Sequence, residues 1–318
     1  DFDLCFLDEA QDLSPLQWEL AHILDNHSTR MYCAGDDDQA IYRWAGADVD
    51  HFINLPGGSE TLSQSYRVPQ TVHRLAENIA GRIKRRFPKR YEPKDEQGKV
   101  TWVNSVSSLD MSRGSWLILA HAGYHLKPVA RDLKSSGYLF DYRGHRSISE
   151  KLSDSVNGWE QLRKGGEVSG EVARKIYGFM STGTRVARGY KKLKGIENFD
   201  AVTMTTLVEY FGLKADKTMI WSEAMDKLPE EDRAYITALL RRGEKFNGNP
   251  RITVSTIHGS KGGEADNVVL FTDLSPSADN EMGVNPEDMH RVFYVGVTRT
   301  KQNLFILDAE DATRRYEL

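Results

Sequence analysis

The chain has 318 residues, 39% of them apolar and 28% charged, with 42 basic against 46 acidic side chains and a net charge of −4. That length suits about two domains whose cores need no disulfide or metal staple. The near-neutral balance excludes a protein held to nucleic acid by bulk charge and leaves room for local basic patches.

Residues 2–7 (Phe-Asp-Leu-Cys-Phe-Leu) form a short apolar run ending at Asp8-Glu9, the pattern of a fully buried parallel strand. A chain that begins at Asp1, without Met and inside a core element, reads as a fragment. Ser14-Pro15 opens a helix, with Ser as N-cap and Pro at the first helical position, and Leu16, Leu20, Ile23 and Leu24 follow at helical spacing. A second strand, Met31–Ala34, runs into Gly35-Asp36-Asp37-Asp38. Strand–helix–strand with acidic strand ends is α/β organisation, with function expected at the carboxyl ends of the strands.

After the break at Pro56-Gly57-Gly58 the spacing predicts a helix from about Pro69 to Arg86, strands at Val100–Val103 and Trp116–Ala120, a helix at Leu126–Ser136 and a strand at Tyr138–Tyr142. From 146 to 249 strand signals fade and helical patterns recur between glycine breaks, which predicts a separate, mostly helical unit. Strands return at Ile252–Ser255, Val268–Phe271 and Leu304–Leu307, with a helix around Met289–Val297. No apolar run approaches the roughly 18 residues of a membrane-spanning helix, and no basic-then-apolar leader pattern is visible. Cys5 and Cys33 lie in apolar runs that suit reduced, buried thiols, and two lone cysteines cannot form a zinc site of the CxxC type. The expected location is the cytoplasm, or the host cytoplasm for a viral protein.

Five stretches carry residues with chemistry. In Leu7-Asp8-Glu9-Ala10-Gln11-Asp12 one carboxylate suits Mg²⁺ and the next suits proton abstraction from water, although an Asp-Glu pair equally suits a loop start. In Gly35-Asp36-Asp37-Asp38-Gln39-Ala40-Ile41-Tyr42-Arg43-Trp44 the amide of Gln39 suits a γ-phosphate and the rings of Tyr42 and Trp44 suit unpaired bases; a capped helix with core aromatics fits as well. In Gln64-Ser65-Tyr66-Arg67 an aromatic precedes an arginine, which suits adenine stacking beside an arginine finger, or an ordinary packed Tyr and surface Arg. Thr256-Ile257-His258-Gly259-Ser260-Lys261-Gly262-Gly263-Glu264 is a strand end running into a polar, Gly-rich loop able to hold phosphate, or a plain turn. Tyr294-Val295-Gly296-Val297-Thr298-Arg299 ends a helix on an arginine, which suits a phosphate or the helix dipole.

Taken together and in this order, these stretches resemble motifs II to VI of superfamily 1 DNA helicases of the UvrD/Rep/PcrA type, matching Asp-Glu-x-x-Asp, Gly-Asp-x-Asp-Gln-x-Ile-Tyr-x-Trp, Gln-x-Tyr-Arg, Thr-x-His-x-x-Lys-Gly-x-Glu and Tyr-Val-x-x-Thr-Arg. The resemblance covers residues 1–145 and 250–318. It implies RecA-like motor domains of α/β class with parallel sheets, the first of them incomplete, and a mostly helical insertion: residues 1–58 as the C-terminal part of the first RecA-like domain, 59–145 with 250–318 as the second, and 146–249 as the inserted subdomain. It implies ATP and Mg²⁺ as cofactors. Asp8 would hold the metal, Glu9 would activate water, Gln39 would contact the γ-phosphate, and Arg67 and Arg299 would stabilise transition-state charge. Tyr66 would stack on adenine and Glu264 would meet the ribose. Tyr42 and Trp44 would stack on single-stranded DNA, with His258 near the strand, and the motor would step 3′→5′. Expected partners are single-stranded DNA, single-strand/duplex junctions and an N-terminal remainder of the same polypeptide, with no membrane.

Three departures qualify this reading. No G-x-x-x-x-G-K-[ST] stretch occurs, since the sole Gly-Lys dipeptide, Gly98-Lys99, precedes Val100, so the phosphate cradle and its lysine are lacking and the chain alone is expected to be inactive. Ala45 stands where the family often has Arg, and Gly263 where it usually has Leu. The insertion of about a hundred residues is small for the group. Two acid-free basic stretches, Arg82–Arg90 and Arg185–Lys194, read equally as phosphate contacts or solvated faces, and Arg188 and Lys191 of the second are assigned to duplex DNA. Two other readings stay open: a non-catalytic nucleic-acid-binding module derived from a helicase, and a helicase subunit of a nuclease or repair complex.

Overall fold

The computed structural model describes residues 1–246 and 248–318. The inserted unit expected at 146–249 includes Asn247, which lies outside the described residues. In chain order the elements are β1 (Phe2–Leu7), α1 (Pro15–Asn26), β2 (Ser28–Cys33), α2 (Val49–Ile53), β3 (Gln64–Pro69), α3 (Gln70–Ala80), β4 (Glu92–Lys94), β5 (Lys99–Val103), β6 (Trp116–Ala120), α4 (Leu126–Ser135), β7 (Phe140–Tyr142) and β8 (His145–Arg146). There follow α5 (Glu150–Arg163), β9 (Glu167–Val168), α6 (Gly170–Gly178), β10 (Val202–Thr203), α7 (Met204–Phe211), α8 (Trp221–Ala224), α9 (Glu230–Arg242), β11 (Ile252–Thr256), β12 (Ala265–Phe271), α10 (Pro276–Val284), α11 (Pro286–Thr298) and β13 (Thr300–Leu307). The chain divides into two compact units, one of Asp1–Ala130, Tyr142–Gly144 and Arg251–Leu318, the other of Arg131–Asp141 and His145–Pro250.

In the first unit β5, β13, β12, β6 and β11 lie side by side in that order, every adjacent pair parallel. Trp116–Ala120 of β6 is buried at every position, as a parallel strand covered on both faces requires. α3 and α11 pack on this sheet: Val72, Ala76 and Ile79 from one and Phe293, Val295 and Val297 from the other meet Leu117, Leu119, Val268 and Leu270 in one core. The class is α/β, as the alternation of apolar strands and helices predicts. α3 ends at Ala80, six residues short of the predicted Arg86, and the basic stretch after it turns back toward the acidic end of β2.

β1 and β2 form a separate parallel pair, with Leu7 opposite Cys33. Leu7 and Cys33 pack inward on Ala10, Trp18 and Ala21. The expectation of a fully buried β1 is corrected here. Phe2, Leu4 and Phe6 face outward, Phe6 is 70% exposed, and its ring stacks on Tyr32 at 5.4 Å. Among the described residues β1 pairs with β2 alone, so its continuous apolar run has one covered face.

The second unit is mostly helical, with a two-residue antiparallel pair of β9 and β10. Trp159 of α5 is fully buried and donates its indole N–H to the carbonyl of Met219 at 2.9 Å. Tyr177 of α6 donates to the carbonyl of Phe211 at 3.2 Å, tying α6 to the end of α7. Among the described residues no helix is long and apolar enough to cross a membrane.

Candidate functional site

The first unit gathers all five motif stretches around one acidic strand end. After β1 the backbone enters the left-handed region at Glu9 (φ 53°), a conformation uncommon outside glycine, and its N–H donates to Asp8 Oδ1 at 2.9 Å. The Glu9 carboxylate accepts from Gln11 Nε2 at 2.6 Å and lies 3.1 Å from the Lys261 ammonium. Partial burial pushes its carboxyl up. The hydrogen bonds from Gln11 and Lys261, with the charges of Lys261 and Arg299, outweigh that and hold it below the usual carboxylate range. Lys261 also pairs with Asp12, so one nearly buried ammonium serves two carboxylates.

Arg299 follows α11 and is 2% exposed. Its Nε donates to Val295 O at 3.0 Å, its Nη1 to Gly263 O at 3.4 Å and its Nη2 to Gln39 Oε1 at 2.8 Å. Among the described residues it meets neutral acceptors and no carboxylate. Burial, and then the charge of Arg67, lower its pKa to about 10. A buried guanidinium without a carboxylate, beside a second guanidinium, is a place where an anion lowers the energy. Arg67 of β3 donates Nε to Glu264 Oε2 at 2.6 Å, and Lys301 lies 2.9 Å from the other oxygen of the same carboxylate. The hydrogen bonds from Lys301 and Arg67 hold Glu264 below its ordinary range.

Tyr66, Arg67, Gln39, Asp36, Glu264 and Thr298 line a cavity of about 710 Å³, within the roughly 300–1,000 Å³ of small-molecule sites. Tyr66 stands at 89% exposure, its ring free to stack. The donor set fits a nucleotide with its metal: a buried cation without a carboxylate, an exposed ring and an exposed carboxylate at Asp8. Among the described residues no three His, Cys, Asp or Glu side chains group as a metal cage. Mg²⁺ needs none, since one or two carboxylates with phosphate and water oxygens suffice.

A second cluster lies on the same unit. Tyr42 donates its hydroxyl to His258 O at 3.0 Å. The rings of Tyr42, Trp44 and His258 lie 6.2–6.4 Å apart, with His121 at 5.8 Å from His258. Trp44 is 75% exposed, so the reading of this aromatic as core gives way to a presented ring. Lys261 sits 5.4 Å over the Tyr42 ring, and so touches both clusters.

The two remaining assigned residues lie in the second unit. Arg188 is exposed. Lys191 is half-buried, and its ammonium donates to the carbonyls of Tyr177 and Met180 at the end of α6, which makes it a helix-end clamp. Several side chains at the site went unassigned from sequence. Asp36 and Lys261 occupy fixed positions of the matched stretches without an assigned role, Gln11 occupies a variable one, Lys301 lies two residues past Arg299, and His121 follows a buried strand. Lys89 and Arg86 belong to a basic stretch that reads equally as phosphate contacts or a solvated face.

The family model described as UvrD/REP helicase N-terminal domain matches residues 1–57, and that described as UvrD-like helicase C-terminal domain matches residues 196–311. The chain is 24% identical to the probable DNA helicase II homolog of Rickettsia conorii, over 98% of this chain and 61% of the relative. It is 20% identical to the ATP-dependent DNA helicase PcrA of Bacillus subtilis, over 98% of this chain and 55% of the relative. A shorter match, 33% identical over 26% of this chain, is to the probable DNA helicase II homolog of Mycoplasma genitalium. The chain thus spans about three-fifths of the length of the Rickettsia relative. Both family models, the ordered motifs and the parallel α/β sheet agree: the chain belongs to the UvrD/Rep/PcrA type of superfamily 1 helicases.

Proposed function

We propose that this protein is an ATP-dependent motor that moves along single-stranded DNA in the 3′→5′ direction and acts at single-strand/duplex junctions. The observation that carries the reading is Arg299, buried without a carboxylate and hydrogen-bonded to Gln39. A side chain so placed destabilises the fold unless an anion completes it. Residues 1–58 belong to a first RecA-like domain, 59–145 with 250–318 to a second, and 146–249 to an inserted subdomain.

Each side chain then has a task. Asp8 holds Mg²⁺, which supplies charge neutralisation at the phosphates. Glu9, kept ionised by Gln11 and Lys261, accepts the proton of the attacking water. Gln39 contacts the γ-phosphate. Arg67 and Arg299 stabilise charge developing on the transferred phosphoryl group. Tyr66 stacks on adenine. Glu264 meets the ribose, which requires it to leave Arg67 and so frees that guanidinium for phosphate. Tyr42 and Trp44 stack on bases beside His258. Arg188 contacts duplex phosphate. Without a P-loop lysine in its sequence, the 318-residue chain binds nucleotide through these groups but hydrolyses it slowly.

The test is binding of a fluorescent ATP analogue and of an oligo-dT strand to the 318-residue chain, each by anisotropy. Saturable binding of both is expected. Binding of oligo-dT without nucleotide overturns the motor reading in favour of a non-catalytic nucleic-acid-binding module, absence of both overturns either reading, and single-stranded-DNA-stimulated hydrolysis at a helicase-like rate overturns the slow-hydrolysis part.

A further inference from the structure

Arg86 and Lys89 of the basic stretch Arg82–Arg90 line the cavity but have no task in the proposed function, and both turn inward onto the acidic turn. The Lys89 side chain is 4% exposed; its ammonium lies 3.0 Å from Asp36 Oδ1 and 3.0 Å from Asp38 Oδ2, and it also pairs with Asp37. Arg86 donates Nε to Asp38 Oδ1 at 2.9 Å, and the Phe87 N–H donates to Asp37 Oδ2 at 2.8 Å. Three successive carboxylates in a mostly buried turn repel one another strongly, and these cations are what allow them to share it.

Asp36 carries that order outward to the reacting groups. Its Oδ2 accepts from Gln39 Nε2 at 2.8 Å, and its backbone N–H donates to Gln11 Oε1 at 3.1 Å. Gln11, fully buried, donates Nε2 to Glu9 Oε2 at 2.6 Å. A glutamine amide has two nearly isosteric orientations. Here the carboxylate of Asp36 admits only the amide nitrogen, and Arg299 on the far side admits only the amide oxygen. Gln39 is therefore held in one orientation by opposite charges, and the Asp36 charge is held by Lys89.

We infer that Lys89 is a positioning residue: acting through Asp36, it fixes the Gln39 amide toward Arg299 and, through Gln11, the carboxylate of Glu9. The catalytic consequence rests on the roles proposed above for Gln39 and Glu9; the ordering of the Gln39 amide does not. The experiment reads that ordering directly, as solvent exchange of the Gln39 side-chain amide protons by nitrogen-15 NMR in the full chain, with the resonance assigned by its loss in Gln39→Met. The indole N–H of Trp116, bonded to Arg113 O at 2.7 Å, serves as an internal control.

Asp36→Ala and Lys89→Met are each expected to speed Gln39 amide exchange at least about tenfold, on the scale of one hydrogen bond, while Trp116 stays unchanged and Lys89→Arg restores slow exchange. Should Lys89→Met not melt cooperatively, the same comparison is made with Asp37→Asn and Asp38→Asn added, which removes the repulsion that Lys89 otherwise neutralises. Gln39 exchange within twofold of wild type in the Lys89 variant, or equal acceleration at Trp116, overturns the inference. Failure of the chain to bind nucleotide would instead count against the proposed function, with the amide result standing independently.

Discussion

Arg299 and Gln39 are 260 residues apart in sequence and meet at 2.8 Å, guanidinium Nη2 to amide Oε1. This bond joins the end of α11 to the acidic turn after β2. It sets a buried cation of one motif stretch against the amide of another, the pairing on which the proposed γ-phosphate role of both rests.

Arg299→Ala should therefore lower affinity for an ATP analogue more than for ADP. A charge-assisted hydrogen bond contributes about 1.5–3 kcal/mol, so the ATP preference should fall by roughly ten- to a hundredfold. Arg299→Lys should not restore it, because an ammonium cannot reach Gln39, Val295 and Gly263 together. Competition binding against a fluorescent nucleotide measures both, and an unchanged ATP/ADP ratio removes Arg299 from the γ-phosphate.

The ionisable groups predict acid sensitivity. Glu9 ionises more readily folded than unfolded, so its contribution is complete above the unfolded pKa and fades as pH falls through the folded one. Asp12 works the other way, since burial, despite Lys261, raises its carboxyl. His121 is lowered to about 4 by burial and then by the charges of His258 and His125. It takes up a proton less readily folded than unfolded, so stability declines as pH drops below the ordinary histidine range toward about 4. Proton NMR should show His121 still neutral at pH 5. Titration of its ring near 6.5 would contradict the buried setting.

Trp44→Ala should leave melting unchanged, because an exposed ring contributes little to the core. It should weaken oligo-dT binding by about 1–3 kcal/mol, the contribution of one stacked base. Equal binding by the two proteins would return Trp44 to a plain surface role.

Gly35 is required by its neighbours. A Cβ there would sit 2.3 Å from Gln11 Oε1 and 2.9 Å from Phe52 Cζ. Gly35→Ala should cost about 1–3 kcal/mol of stability and disturb the Gln11 amide that reaches Glu9. Urea unfolding tests this, and a midpoint within error of wild type would refute it.

In the second unit, Arg188→Glu should weaken duplex binding and reduce its salt slope by about one or two without affecting the fold. Lys191→Met should instead lower the melting temperature, since the carbonyls of Tyr177 and Met180 lose their donor. Salt-dependent binding isotherms and thermal melts separate the two, and a shared phenotype would contradict this division.

Much of the fold was legible in sequence because local rules dominate it. Apolar runs of strand length at β6, β11 and β12, the Ser14-Pro15 helix start and the spacing in α4 are short-range signals. The motif residues were equally legible, since Asp8, Glu9, Gln39, Arg67 and Arg299 stand in contiguous stretches of fixed spacing. Exposure was not. The apolar run of β1 reads as buried, and half of it faces outward, because whether a strand face is covered depends on its neighbours.

What the sequence determined by itself is the α/β class, the order of the motifs and the chemical types gathered in them. What only the tertiary structure decided is which of those charges meet. Lys89 and Lys191 sit in stretches that look alike, basic and free of acid, yet one locks three aspartates beside Gln39 and the other binds the carbonyls of Tyr177 and Met180 at and just past the end of α6. The difference is long-range. A lysine side chain takes its partner from whatever the fold brings within about 4 Å, and composition along the chain carries no record of that encounter.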